Sequence, residues 1–119
     1  MHELSIATAV VESAEAAARR HGATCVGSVR LRVGELSGVV PDALRFSFEL
    51  AAAGTALEGA ALEIEDVPAR ARCATCPGDF PVGSPPDLRC PRCEGSAAEL
   101  VSGRELELAA VTLPSGVTP

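Results

Sequence analysis

The chain has 119 residues, a hydrophobic fraction of 47% and a formal net charge of −6, and its ten basic residues are all arginine. This length suits one ordinary domain with a small satellite, and an acidic chain without lysine lacks the basic face of a nucleic-acid binder. No apolar stretch approaches the roughly 20 residues of a membrane span, and the amino terminus does not resemble a signal peptide. We therefore predict a cytoplasmic protein that binds neither nucleic acid nor membrane.

Two amphipathic helices are predicted in the first half of the chain. The first covers residues 4–21, where apolar residues recur at helical spacing, and Gly22 follows a run of cations that suits the negative end of the helix dipole. Pro41 and Asp42 are typical of a helix start, and Gly54 is expected to end that second helix.

Three strands are predicted from apolar residues at period two, over residues 25–33, 62–71 and 106–110. The alternation of the second strand slips near Val67, which predicts a bulge. Cys25, on the apolar face of the first strand, is expected to be a small core residue. The fold class that follows is α+β, with two helices packed on a small three-stranded sheet.

Residues 72–103 differ in composition from the rest, because they hold five of the nine prolines and four of the five cysteines. A segment this short and this poor in periodic apolar residues is not expected to be held by an apolar core of its own, and it normally requires a metal or disulfides. We predict an inserted zinc-binding domain over 72–103, an α+β domain formed by 1–71 and 104–113, and a tail at 114–119.

Two C-x-x-C pairs separated by thirteen residues carry the metal prediction; they are Cys73, Cys76, Cys90 and Cys93. In a reducing cytoplasm such pairs indicate metal ligation before they indicate disulfides. Four thiolates complete a tetrahedral zinc site of the ribbon type and leave no open position for catalysis, so we expect a structural zinc ion and no enzyme activity. Rubredoxin-like iron and a redox-active cysteine pair are the alternatives.

The amino terminus is the second candidate site. Met1, His2 and Glu3 supply an α-amine, an imidazole, a carboxylate and amide nitrogens within three residues. The amine and the His2 amide nitrogen close a five-membered chelate ring, and the imidazole closes a six-membered ring on the same amide, which suits Ni²⁺ or Cu²⁺. Terminal residues are more often simply solvated, so the chemistry permits this site without requiring it.

Four segments, taken in order, resemble one known family: residues 1–5 (MHELS), 34–41 (GELSGVVP), 67–73 (VPARARC) and 101–106 (VSGREL). Together with the four cysteines, they resemble the HypA/HybF family of hydrogenase nickel-incorporation proteins over nearly the whole chain, up to about residue 113. The resemblance implies a nickel metallochaperone that works with a HypB-type GTPase and delivers Ni²⁺ to the precursor of the [NiFe]-hydrogenase large subunit.

The resemblance also implies roles for individual residues. His2 corresponds to the principal nickel ligand, with the Met1 amine and Glu3 in support and Asp42 as a weaker assistant, while the four cysteines correspond to zinc ligands. This chain differs from many members in having Pro77 and Glu94, not glycine, directly after its cysteine pairs, which bears on the N–H···S hydrogen bonds there. The competing interpretation is a zinc-ribbon adaptor that recruits a partner protein and has no nickel function.

Overall fold

A computed structural model of the chain describes residues 2–83 and 85–114. Its elements, in chain order, are α1 (His2–Arg20), β1 (Ser28–Gly34), α2 (Pro41–Ala52), β2 (Ala61–Val67), β3 (Arg70–Cys73), β4 (Asp79–Pro81), β5 (Ala97–Ser102) and β6 (Leu106–Thr112). The α+β class is confirmed. Met1 and, apart from Pro114, the predicted tail lie outside the described residues.

The chain divides into two compact units. Among the described residues, unit 1 contains those up to Leu31, Val39–Glu65 and those from Leu108 onward, and unit 2 contains Arg32–Gly38 and Asp66–Glu107. The domain boundaries proposed from sequence stay a prediction.

In unit 1, the two predicted helices are confirmed, and α1 packs against α2. Small residues permit this packing, since Ala7, Ala14 and Ala18 on α1 are at most 1% exposed. Leu44, Phe48 and Ala52 form the buried stripe of α2. The glycine after each helix has a positive φ, 73° at Gly22 and 76° at Gly54, as expected for residues that end helices. Within the described part of the chain, no helix is long and apolar enough to cross a membrane.

The first sheet has the strand order β2-β1-β6, which confirms the predicted three-stranded sheet. Val29, Leu31 and Val33 alternate on the buried side of β1, as the period-two pattern indicated.

The single strand predicted over 62–71 is wrong, because β2 ends at Val67 and β3, which begins at Arg70, belongs to the other sheet. Pro68 has no N–H to donate and therefore cannot continue a ladder. Glu35 supplies partners at the break: its backbone N–H donates to the Val67 carbonyl, and its carboxylate accepts from the Ala69 N–H. What the alternation indicated as a bulge is a change of sheet.

The prediction for Cys25 is also wrong, since this residue is exposed and lies before β1 begins at Ser28. Ala23 and Val26 are buried in this connection instead, and the Val26 N–H donates to the Ala56 carbonyl. The period-two pattern was extended too far toward the amino end, into an irregular segment whose buried residues do not alternate.

Unit 2 contains a second antiparallel sheet, with the strand order β4-β3-β5 and Ala71 of β3 paired with both Phe80 and Leu100. This sheet buries a small cluster: Ala69, Ala71, Cys73, Phe80, Val82 and Cys90. Only four of these six residues lie within 72–103, so the expectation that no apolar core of its own holds that segment stays a prediction. The core is minimal, with one aromatic ring, and two of its six members are cysteines of the C-x-x-C pairs.

Candidate metal centres

The four paired cysteines come together at one point of unit 2. Their Sγ atoms all lie within 4.8 Å of one another, and the Cys73 and Cys93 sulfurs are 3.5 Å apart. A tetrahedral ion with metal–sulfur bonds of about 2.3 Å requires sulfur–sulfur separations of about 3.8 Å. Because Cys73 and Cys90 are buried while Cys93 is exposed, one side of the cluster faces the core and another faces solvent. The four sulfurs fit one metal ion.

Two short turns present these sulfurs. The first cysteine turn, residues 73–78, follows directly from β3, and the second cysteine turn, residues 90–95, is closed by backbone hydrogen bonds. In the second turn the Cys90 N–H donates to the Gly95 carbonyl at 2.8 Å, and the Glu94 N–H donates to the Cys90 carbonyl at 2.7 Å. Each pair is thus placed by its own backbone.

Backbone N–H groups also point at the sulfurs. The amides of Thr75 and Cys76 lie 3.4 and 3.3 Å from the Cys73 sulfur, and the Gly95 amide lies 3.4 Å from the Cys93 sulfur. The residues that replace glycine after each pair therefore do not prevent these bonds. Glu94 accommodates the second turn by adopting a φ of 61°, a left-handed conformation that side chains usually avoid.

The cysteines differ in acidity. Hydrogen bonds, first among them the one from the Cys76 amide, lower the pKa of the Cys73 thiol to about 5. A hydrogen bond with Cys93, together with burial, raises the pKa of Cys76 to about 11. Burial opposes ionisation of Cys90, yet the amides of Cys93 and Arg92 leave the pKa of that thiol lowered. At neutral pH the metal-free cluster therefore mixes thiolate and thiol, and metal binding releases the remaining protons.

The second candidate centre lies at the start of α1. The His2 side chain is 58% exposed, the Glu3 side chain only 8%, and 3.5 Å separates the imidazole Nε2 from the Glu3 carboxylate. That carboxylate accepts a hydrogen bond of 3.2 Å from the Val40 N–H, and this bond is the main reason that the pKa of Glu3 falls to about 2. Asp42 lies exposed in the first turn of α2.

Neither His21 nor Cys25 is among the described residues that form the two candidate centres. His21 donates from Nδ1 to the Ala17 carbonyl at 2.9 Å, which places the imidazole at the carboxyl end of α1, where a cation is favoured.

Three of the four segments quoted for the family resemblance meet in unit 2. The Gly34 N–H donates to the Glu105 carbonyl at 2.7 Å, and the Leu36 N–H donates to the Gly103 carbonyl at 2.6 Å. The Ser102 hydroxyl donates to the Pro68 carbonyl at 2.8 Å. These segments thus form one hydrogen-bonded junction around the break between β2 and β3.

Sequence reasoning missed two side chains at the cluster, Thr75 and Arg92. The Thr75 hydroxyl lies 3.5 Å from two of the sulfurs, and Cys90 and Cys76 raise the pKa of the Arg92 guanidinium. Their place inside the C-x-x-C pairs was the available signal, but spacing alone does not say where such side chains point.

The fold and the cluster define a class: small α+β proteins of two units in which four cysteines are placed to bind one metal ion. A family model described as "Hydrogenase/urease nickel incorporation, metallochaperone, hypA" matches residues 1–113. The chain belongs to this HypA family of nickel metallochaperones for hydrogenase maturation.

Individual relatives agree with this assignment. The hydrogenase maturation factor HypA of Streptomyces avermitilis is 56% identical over 119 residues, which cover 99% of this chain and 91% of that protein. The factor of the same name from a Roseiflexus species is 51% identical over 111 residues, covering 93% and 90%.

Solved structures show the same fold. The solution structure of the Ni metallochaperone HypA from Helicobacter pylori matches with a TM-score of 0.66 at 22% identity, over 95% of this chain and 97% of that one. A second solution structure, of HypA protein, matches with a TM-score of 0.71 at 22% identity, over 97% and 98%.

Proposed function

We propose that this chain binds Ni²⁺ at its amino terminus and delivers it to the [NiFe]-hydrogenase large-subunit precursor, together with a HypB-type GTPase. His2 is the principal nickel ligand, with the Met1 amine and Glu3 in support. Zn²⁺ bound by Cys73, Cys76, Cys90 and Cys93 is structural, and the chain works in the cytoplasm as a carrier, without catalysing a reaction itself.

The observation that carries the nickel assignment is the pairing of an exposed imidazole with a fixed carboxylate at the first turn of α1. The His2 and Glu3 side chains are 3.5 Å apart, and the Val40 N–H holds the carboxylate in place. The first N–H groups of a helix have no acceptor within the helix, so the His2 amide nitrogen is available to a metal. An ionised carboxylate beside these nitrogens offsets the positive charge of Ni²⁺.

Release is as necessary to a carrier as binding. A site at a chain end, with the His2 side chain 58% exposed, can hand over its ion without opening a core. Because only a deprotonated imidazole nitrogen binds metal, protons compete with nickel for this site. Four thiolates saturate a tetrahedral ion instead, which suits a metal that stays with the protein.

Nickel binding is tested by isothermal titration of the untagged chain with Ni²⁺, with zinc content measured in parallel. We expect His2→Ala, or one extra residue before Met1, to abolish tight nickel binding while zinc stays near one ion per chain. The matched control is His21→Ala, which removes the chain's other histidine and is expected to leave nickel binding unchanged. Undiminished nickel affinity in His2→Ala would overturn the assignment, and zinc without any nickel binding in the wild type would favour the adaptor.

Delivery needs its own measurement. Transfer of radioactive nickel from the loaded chain to a hydrogenase large-subunit precursor, with and without a HypB-type GTPase, follows the proposed route. We expect transfer from the wild type and none from His2→Ala. Equal transfer from free nickel at the same concentration would contradict a carrier role.

A further inference from the structure

Two polar side chains occupy the same position in the two C-x-x-C pairs. Thr75 stands directly before Cys76, and Arg92 stands directly before Cys93. Both are exposed, so neither is required to fill the small core of unit 2. Each lies beside the four-cysteine cluster.

The Thr75 hydroxyl lies between the two pairs. Its oxygen is 3.5 Å from the Cys73 sulfur, in the first pair, and 3.5 Å from the Cys93 sulfur, in the second. Those two sulfurs are themselves 3.5 Å apart. When both sulfurs are metal-bound thiolates they can only accept, so the hydroxyl donates and shares its single hydrogen between them.

Arg92 makes the complementary connection. Cys90 of its own pair, and to a smaller extent Cys76 of the other, favour the charged form of the guanidinium and raise its pKa. The guanidinium also reaches the first cysteine turn, where Nη1 lies 4.0 Å from the position that a Cβ on Gly78 would occupy. Thr75 therefore contacts one sulfur of each pair, and Arg92 lies on the side of Cys90 and Cys76, the remaining cysteine of each pair.

Other arginines of unit 2 have partners of a different kind. Several arginines of the unit pair with carboxylates: Arg32 with Glu107, Arg70 with Asp79, Arg72 with Glu99 and Arg89 with Asp87. Arg92 instead lies against sulfur. Four thiolates around one divalent ion carry an excess of two negative charges, which a neighbouring guanidinium stabilises.

We propose that Thr75 and Arg92 are positioning residues of the four-cysteine centre, which join its two pairs and make the bound thiolates less basic and less reactive. This inference rests on the proposed zinc role of the cysteines. Its consequence is slow loss of the resident ion, because a thiolate that already accepts hydrogen bonds is a poorer nucleophile and is less easily protonated off the metal.

The test uses the full-length, zinc-loaded chain and follows transfer of zinc to a chromophoric chelator. Thr75→Val and Arg92→Gln remove the donors, whereas Thr75→Ser and Arg92→Lys keep a hydroxyl and a positive charge. Arg104→Gln is the matched control, since it removes an exposed charge elsewhere in unit 2. Thr8→Val makes the same change as Thr75→Val, on α1.

We expect zinc transfer to accelerate about 10-fold in Thr75→Val and in Arg92→Gln, the lower end of the usual effect of removing a group that contacts metal ligands. Thr75→Ser and Arg92→Lys should recover most of the wild-type rate, and both controls should match the wild type. Substitution with Co²⁺ gives a second readout: the sulfur-to-cobalt charge-transfer band should move to longer wavelength in the two donor-free variants, because their sulfur electrons are held less tightly.

The outcomes separate this inference from the zinc assignment. If the wild type holds no metal at its four cysteines, the proposed zinc role fails. If the wild type holds one ion, and if Thr75→Val and Arg92→Gln both have the same zinc-transfer rate and cobalt band as the wild type, the positioning role alone is overturned. Equal acceleration in Arg92→Gln and Arg92→Lys would likewise overturn the role of the positive charge, and circular dichroism confirms that each variant is folded.

Discussion

At the residue scale, Glu3 is a carboxylate in an almost fully buried position, and its contacts explain why it is stable there. Its Oε2 accepts from the Val40 N–H, and Glu3 lies in the first turn of α1, where the helix dipole favours negative charge. The same residue therefore ties the start of α1 to the residue that precedes α2, and places an anion beside His2.

Replacing Glu3 with Gln should change how stability depends on pH. The folded pKa of about 2 lies below the ordinary value of 4.5, so the carboxylate adds stability that is complete above about pH 4.5 and is lost as pH falls through about 2. We expect the wild type to have the higher melting temperature at pH 7, and the difference from Glu3→Gln to shrink between pH 4.5 and 2. Glu12→Gln, on the exposed side of α1, is the control, and a pH-independent difference would contradict this account.

Glu94 is a second residue whose conformation predicts a measurable effect. Its φ of 61° costs a residue with a Cβ about 1–2 kcal/mol, a penalty that glycine avoids. We expect Glu94→Gly to stabilise the metal-loaded protein by about 1 kcal/mol in chemical denaturation. The opposite kind of change at the positive-φ glycine of the first cysteine turn, Gly78→Ala at a φ of 84°, should destabilise by a similar amount. A lower midpoint for Glu94→Gly would show that its side chain is needed.

At the element scale, the junction in unit 2 depends on the close approach of two glycines. A Cβ on Gly34, the last residue of β1, would overlap the backbone of Gly103, and a Cβ on Gly103 would come within 2.6 Å of Ala69. Backbone atoms cannot move aside as a flexible side chain can. Glycine is therefore required where β1 meets the chain between β5 and β6.

We expect Gly34→Ala to destabilise the protein by about 3 kcal/mol, the upper end of the usual cost of overpacking. Gly38→Ala is the control, because its Cβ would meet nothing within 4 Å and only the φ of 82° is unfavourable, at about 1 kcal/mol. Urea unfolding of both variants gives the comparison. Equal midpoints would indicate that the junction can open to admit a methyl group.

At the scale of the whole molecule, the two units are stabilised differently. Unit 1 has two helices and a larger set of buried aliphatic residues, whereas the core cluster of unit 2 consists of Phe80 and five smaller residues. Two of those six are cysteines of the candidate metal centre, so an ion bound there would also hold part of this core together. Small cores of this kind usually depend on their metal.

Removing the metal with a strong chelator should therefore unfold unit 2 while the helical circular dichroism of α1 and α2 persists. Thiol titration under native conditions measures the number of reactive cysteines. We expect one in the metal-loaded protein, the exposed Cys25, and all five after the metal is removed. Five reactive thiols before chelation, or one after it, would contradict this coupling.

Much of this architecture is local enough to be determined by the sequence itself. Helix ends follow from Gly22 and Gly54, and the spacing of the cysteine pairs predicts the cluster of four sulfurs, because residues a few positions apart have few ways to turn. The family resemblance is likewise carried by short segments, each of which is recognised from neighbouring residues in the chain. Periodicity and spacing are properties of neighbours in the chain.

Only the tertiary structure decided the rest, because it depends on partners that are far apart in sequence. Glu3 and Val40 are 37 positions apart, and Glu35 acts at a break between strands that lies more than 30 residues further on. The same holds for the change of sheet after Val67, the exposure of Cys25 and the six-residue core of unit 2. Burial and hydrogen bonding at each of these places are set by which segments pack together, and a pattern within one segment does not contain that information.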